Sequence, residues 1–215
     1  MRSRITPVVL NLLIINGIVY LLEYLVLNRF GTEVFSRYFL LFKLNPAVDI
    51  GLSRELFEPI QIVTHFFSHS PNSIFHILFN MFALYSIGQG VEHVMGSRRF
   101  ISFYLFSGVV GGILTALFDP SPAPVLGASG AVSGVAMAFA LIFPNQKLMI
   151  FPLPIPFSAW KLIGFFFLLS LGFVVYSFLE PGKSLGGISH FGHLAGMVAA
   201  LLYIFGGSAL NRMRK

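Results

Sequence analysis

The chain has 215 residues, 56% of them hydrophobic and 10% charged, with a mean hydropathy of +0.83, whereas an ordinary soluble domain is about a quarter charged. This is the balance of an integral membrane protein, and six helical spans at about 20 residues each, about 120 in all, leave no room for a large soluble domain. The chain has no cysteine, which excludes disulfides, thiolate nucleophiles, iron-sulfur clusters and cysteine-zinc sites. The net charge of +6 comes from basic residues scattered in ones and twos between apolar runs, as positive-inside topology requires, so no nucleic-acid partner is expected.

In chain order, apolar runs predict spans at about 7–28, 73–95, 99–118, 128–144, 158–178 and 188–207. The fold class is therefore an all-α membrane bundle of six transmembrane helices forming one polytopic domain. Residues 1–4 resemble a signal-peptide leader, but the run that follows is long and no small-residue cleavage site ends it, so it reads as a retained helix. The only long connection, 29–72, is too polar to span. Its stretch Glu33 to Asn45 carries Phe35, Tyr38, Phe39, Leu41, Phe42 and Leu44 and reads as a segment lying in the membrane interface. Pro152, Pro154 and Pro156 break the chain between the fourth and fifth spans.

Nine Lys and Arg fall on the side of the N-terminus and five on the other, where Glu33, Asp49, Glu55, Glu58, Asp119 and Glu180 dilute them. Both termini are expected in the cytoplasm, and the expected location is the inner membrane of a bacterial cell. The second, fourth and sixth spans then run from outside to inside.

Polar side chains inside a bilayer are costly and point to function or to helix-helix contact. The second span opens with His76 and Asn80, the fourth with Ser129, and the sixth with His190 and His193. All fall near the outer ends of the outside-to-inside helices, which predicts one shared pocket open to water. Ser129 stands in Gly127-Ala128-Ser129-Gly130-Ala131 after the loop Asp119 to Pro124, at a helix start where free N-H groups and the dipole favour a developing oxyanion. The plain alternative for such a string is close helix packing. A serine nucleophile needs a base, and His193 is the candidate. Gly192, Gly196 and Ala200 form a small-residue stripe on its helix, and Gly130 and Gly134 form one beside Ser129. Stripes that faced each other would bring Ser129 and His193 to similar depth. His190 reads as a packing residue. His76 and Asn80, at i and i+4, share a face and suit donation to an oxyanion. Glu92 lies between Gly88 and Gly96 and reads as a helix-linking hydrogen-bonder.

These residues resemble the rhomboid family of intramembrane serine proteases over about 57–207. The matching strings are His76-Ile77-Leu78-Phe79-Asn80, Gly88-x-x-x-Glu92-x-x-x-Gly96, Gly127-Ala128-Ser129-Gly130 and His193-Leu194-Ala195-Gly196. The resemblance implies a six-helix core with Ser129 as nucleophile and His193 as general base, a dyad without aspartate. It implies an oxyanion site made by His76, Asn80 and the Ser129 N-H, with Glu92 as a structural carboxylate, and no cofactor. The implied activity is endopeptidase cleavage of single-pass transmembrane substrates within the lipid bilayer. Four positions depart from the family pattern: Ile60-Gln61 replaces a Trp-Arg pair, Ser133 replaces an aromatic, and Ala200 replaces a glycine.

Aspartyl intramembrane proteases need two Asp within spans, but Asp49 and Asp119 lie outside them, and no H-E-x-x-H zinc motif occurs. His65 and His69, at i and i+4, lack an obvious carboxylate partner for a metal, so no metal site is expected. The competing reading is a non-proteolytic rhomboid-like protein that binds membrane clients, although such relatives typically lack the Ser or the His.

Overall fold

A computed structural model of the chain describes residues 5–44, 57–121, 123–150, 153–180 and 188–206. The basic termini and part of the first loop, on which the charge count partly rests, lie outside the described residues.

The protein is a mostly α-helical membrane bundle. Helix α1 (Pro7–Phe39) starts with proline at its first turn, where the missing N-H costs nothing. It is broken at Gly31, whose φ of 84° only glycine adopts freely. The apolar run and the interfacial segment are thus two helical pieces separated by a kink, and the chain turns extended at Leu40.

After the short α2 (Gln61–Thr64), α3 (Ile74–Met95) contains a π-helical turn at Leu84–Gly88. Helices α4 (Ser97–Phe118), α5 (Ser129–Ile142), α6 (Ala159–Leu179) and α7 (His190–Gly206) follow. Among the described residues four helices, α1, α3, α4 and α6, are long and apolar enough to cross a membrane, while α5 and α7 are shorter apolar helices. At 1.5 Å per residue, α5 is about 21 Å long, less than the roughly 30 Å hydrocarbon core.

One element departs from the expected plain break after the fourth helix. Strands β1 (Lys147–Ile150) and β2 (Leu153–Ser158) form an antiparallel hairpin, with Met149 opposite Pro156. A two-stranded ribbon consists only of edges, so β2 can carry proline without losing an interior ladder.

Large side chains such as Leu21, Phe75, Phe82, Leu168 and Leu179 point outward, as a lipid-facing surface requires. Inside, Phe100, Phe103, Tyr104, Leu84 and Val135 fill the core. Lipid is as apolar as these side chains, so helix association depends on close packing and internal hydrogen bonds. Small residues supply the packing. Phe66 lies over Gly108, and a Cβ there would stand 2.8 Å from its ring.

The first loop is tied down by named bonds. Gln61 is fully buried, accepts the Phe42 N-H at 3.1 Å and donates to the Arg37 carbonyl at 2.9 Å. Gln61, at a departure from the family pair, thus docks the loop. Leu41 and Val125 exchange backbone bonds at 2.8 and 2.9 Å, which joins the loop to the segment preceding α5.

Candidate active site

Ser129 is the first residue of α5 and is half-buried. The first N-H groups of a helix have no partner within it, and the positive end of the helix dipole lies there. Just upstream, Gly127 has φ 132° and donates its N-H to the His65 carbonyl at 2.8 Å. A Cβ at this position would lie 2.8 Å from His76 Nε2 and 3.5 Å from Ser129 Oγ. Glycine is therefore needed here for both backbone and space, and its bare face lets His76 and Ser129 approach the same point.

The two glycine stripes do face each other. A Cβ on Gly130 would lie 3.2 Å from the Gly192 carbonyl oxygen, and one on Gly134 3.0 Å from the Gly196 oxygen. A Cβ on Gly196 would overlap the Gly130 carbonyl. Contacts that advance together along both chains mean parallel helices, so Ser129 and His193 each stand one residue from the contact line. A Cβ on Gly111 of α4 would lie 3.3 Å from the Gly196 backbone nitrogen, so α4 closes on this contact from a third side. Ser189 accepts the Gly192 N-H at 3.1 Å and its carbonyl accepts the His193 N-H, which fixes the start of α7.

Among the described residues, Ser129 Oγ and the His193 ring form no hydrogen bond with each other. Such pairs commonly close only in the complex with substrate, so support for the pair comes from helix register. No carboxylate pairs with His193 among the described residues. Where the family pattern has an aromatic, Ser133 is half-buried, and the ring stack of this region instead joins Phe173 and His190, with centroids 4.1 Å apart. His190 meets His193 edge-on at 6.3 Å.

His76 has a fixed tautomer. Its Nδ1 accepts the Ser70 N-H at 3.2 Å, so a neutral ring carries its proton on Nε2. That is the nitrogen beside Gly127 and Ser129. Asn80, buried on the same helix face, donates one Nδ2 hydrogen to the His76 carbonyl at 2.8 Å. Its second hydrogen forms no hydrogen bond among the described residues.

Two neighbouring cavities border these residues, and neither is lined by Asn80 or His193. A cavity of about 240 Å³ is bordered by His76, Ser70, Ser121, Phe173, Ser177 and His190. Ser129 and Gly130 line a smaller neighbour with His65 and Ser189. Lys43 forms one wall of the larger cavity, yet its side chain is 1% exposed. Its ammonium pairs with Asp119 Oδ2 at 3.0 Å and donates to the carbonyls of Ser121 and Ala123. Burial pulls the Lys43 pKa below the ordinary lysine range, and Asp119 opposes that shift. The charge pattern had marked Lys43 only as an outer-side cation. Its role as a clamp on the loop before α5 was invisible without the contact to Asp119.

Glu92 accepts the N-H groups of Val8 and Val9 at 3.0 and 2.9 Å and the Ser97 hydroxyl at 2.7 Å. It caps the start of α1, far from Ser129 in chemistry. His65 and His69 do not converge. His65 Nδ1 contacts the Gln61 carbonyl at 2.7 Å, while the His69 ring lies against His76. No group of three or more metal-ligating side chains occurs among the described residues.

A family model described as Rhomboid domain matches residues 56–209. The chain belongs to the rhomboid family. It is 32% identical over 150 residues to Rhomboid protein 1, mitochondrial, of Saccharomyces cerevisiae, covering 67% of this chain and 40% of that protein. It is 32% identical over 130 residues to Rhomboid protease GluP of Bacillus subtilis, covering 58% and 22%. It is 30% identical over 179 residues to the human Presenilin-associated rhomboid-like protein, mitochondrial, covering 79% and 41%. The rhomboid match thus spans less than half the length of each of these relatives, which come from both mitochondrial and bacterial sources. One of them is named a protease, and proteolysis is a property found within the family.

Proposed function

We propose that this rhomboid-family protein is an intramembrane serine endopeptidase that cleaves transmembrane segments of single-pass proteins. Ser129 Oγ attacks the scissile carbonyl carbon while His193 takes its proton. The oxyanion of the tetrahedral intermediate is held by the Ser129 N-H, His76 Nε2-H and the free Asn80 N-H. Collapse expels the amine, which is protonated by His193, and leaves an acyl-enzyme. Water activated by the same histidine then releases the acid and regenerates Ser129.

The observation that carries this reading is the parallel contact of Gly130 with Gly192 and Gly196, since it sets the register of Ser129 against His193. The His76 tautomer supports it independently, because a donor at Nε2 is what an oxyanion requires. The short α5 supports a serine below the membrane surface, and the cavity that Ser129 lines adjoins the larger one bordered by His76 and His190. A substrate helix enters laterally between α3 and α6 and must partly unwind, since a helical carbonyl is already hydrogen-bonded. Helix-breaking or small residues near the scissile bond should therefore favour cleavage.

The same reading places six spans in the membrane with both termini in the cytoplasm of a bacterial cell. Single cysteines near Ser121 should react with an impermeant thiol reagent from outside, and ones near Lys147 should not. The functional test is cleavage of a single-pass substrate by purified protein in detergent, without added metal or nucleotide. Ser129→Ala and His193→Ala should each abolish cleavage while the fold is retained. Full activity in either variant contradicts the dyad, and inhibition by a chelator that zinc reverses would indicate a metal enzyme.

A further inference from the structure

The carboxylate of Glu23 takes no part in the chemistry above and lies outside the residues matched by the family model. It sits on the first apolar run of α1 and is fully buried. Its oxygens accept the backbone N-H of His69 at 3.0 and 3.3 Å. The next amide along the chain, that of Ser70, donates to His76 Nδ1. Two successive N-H groups of one turn are thus held at opposite ends, one by Glu23 and one by His76. The His69 side chain adds a second contact: it is fully buried, neither ring nitrogen has a hydrogen-bond partner, and its ring meets His76 edge-on at 5.2 Å.

We propose that Glu23 is a positioning residue: by holding the His69 amide it fixes the turn whose Ser70 N-H keeps the His76 proton on Nε2, facing Gly127 and Ser129. The physical requirement is strict. If the Ser70 amide moves away, Nδ1 loses its donor, and the neutral ring is free to adopt the other tautomer, which presents a lone pair to an oxyanion instead of a proton. A carboxyl group suits the task because both of its oxygens lie within hydrogen-bond reach of the one His69 N-H. Glu23 thereby couples the first helix to the oxyanion site without touching substrate. The consequence for catalysis rests on the proposed role of His76, whereas the tautomer itself does not.

The experiment uses the full chain in detergent micelles with ¹⁵N-labelled histidine, at pH about 8, above the ordinary histidine pKa of about 6.5. The His76 signals are assigned by comparison with His76→Ala. In the wild type the ring should be the Nε2-H tautomer. In Glu23→Ala it should become a mixture, and Glu23→Gln, which keeps an acceptor of the same reach, should restore it. In the cleavage assay Glu23→Ala should lower kcat by less than the about 10² to 10³-fold expected for deleting the donor, with KM little changed. It should cause no further loss in a His76→Ala background.

An Nδ1-H tautomer in the wild type overturns the proposal even if Glu23→Ala fails to fold. So does an unchanged tautomer in folded Glu23→Ala, or a rate loss that multiplies fully with His76→Ala. A protein with the expected tautomer response but no cleavage would refute the protease reading and leave the positioning by Glu23 standing.

Discussion

Replacing Gly196 with alanine perturbs the helix contact on which the account depends. The added Cβ would lie 2.6 Å from the Gly130 carbonyl carbon and 3.2 Å from its Cα, and would overlap the carbonyl oxygen. These are backbone atoms, so no side chain can rotate away. Bringing the carbonyl carbon alone out to the edge of ordinary contact at 3.4 Å takes a local separation of α5 and α7 of about 0.8 Å, and the closer oxygen requires more, since overpacked sites relax by backbone shifts. Overpacking of this kind costs about 1–3 kcal/mol. A displacement near 1 Å between a nucleophile and its base can cost about 10² in rate, so Gly196→Ala should lose far more activity than stability.

The graded series makes the argument sharper. Gly134→Ala meets the short Ser107 side chain at 2.8 Å, and Gly130→Ala meets only the Gly192 carbonyl oxygen at 3.2 Å, so activity should fall in the order Gly130→Ala, Gly134→Ala, Gly196→Ala. Gly172→Ala, with nothing within 4 Å of its added Cβ, is the control and should be neutral or stabilising by up to about 1 kcal/mol through helix propensity. The assay is cleavage rate beside thermal unfolding for each purified variant. Wild-type activity and melting temperature in Gly196→Ala would refute the tight parallel contact.

Further outcomes follow from individual bonds. His76→Ala should lower kcat by about 10² to 10³-fold, as for one oxyanion donor, with KM and melting temperature little changed, and early melting with normal turnover would make it helix glue. Glu92→Ala strands the Val8 and Val9 amides and should destabilise by about 1–3 kcal/mol, while Glu92→Gln recovers part of this in thermal unfolding. Lys43→Ala leaves Asp119 buried without its cation and should cost about 3–5 kcal/mol. Lys43→Met combined with Asp119→Leu should melt above that single variant, because no charge is orphaned.

Much of the site was legible because its signals are local. Ser129, His76 and His193 are polar residues at the starts of apolar runs, and the glycine stripes follow one helical face each. Family membership bears out the rhomboid resemblance. The two cavities were not legible, because residues from the loop before α5, Val125 among them, border both. The β1–β2 hairpin was hidden by its prolines, which mark a break in sequence but are tolerated on an edge strand. Lys43 entered the charge count only as one of five outer-side basic residues, because its partner Asp119 lies in a distant loop. Glu23 did leave a signal: a carboxylate within an apolar run has to find a hydrogen-bond donor, although only the fold identifies that donor as the His69 amide.

The central claim is that Ser129 is a nucleophile activated by His193. Treating the purified protein with a fluorophosphonate and locating the adduct by peptide mass spectrometry tests it most directly. The account predicts a single adduct at Ser129, absent in Ser129→Ala and strongly reduced in folded His193→Ala. No adduct on the folded wild-type protein, or labelling at Ser129 undiminished by loss of His193, would contradict it.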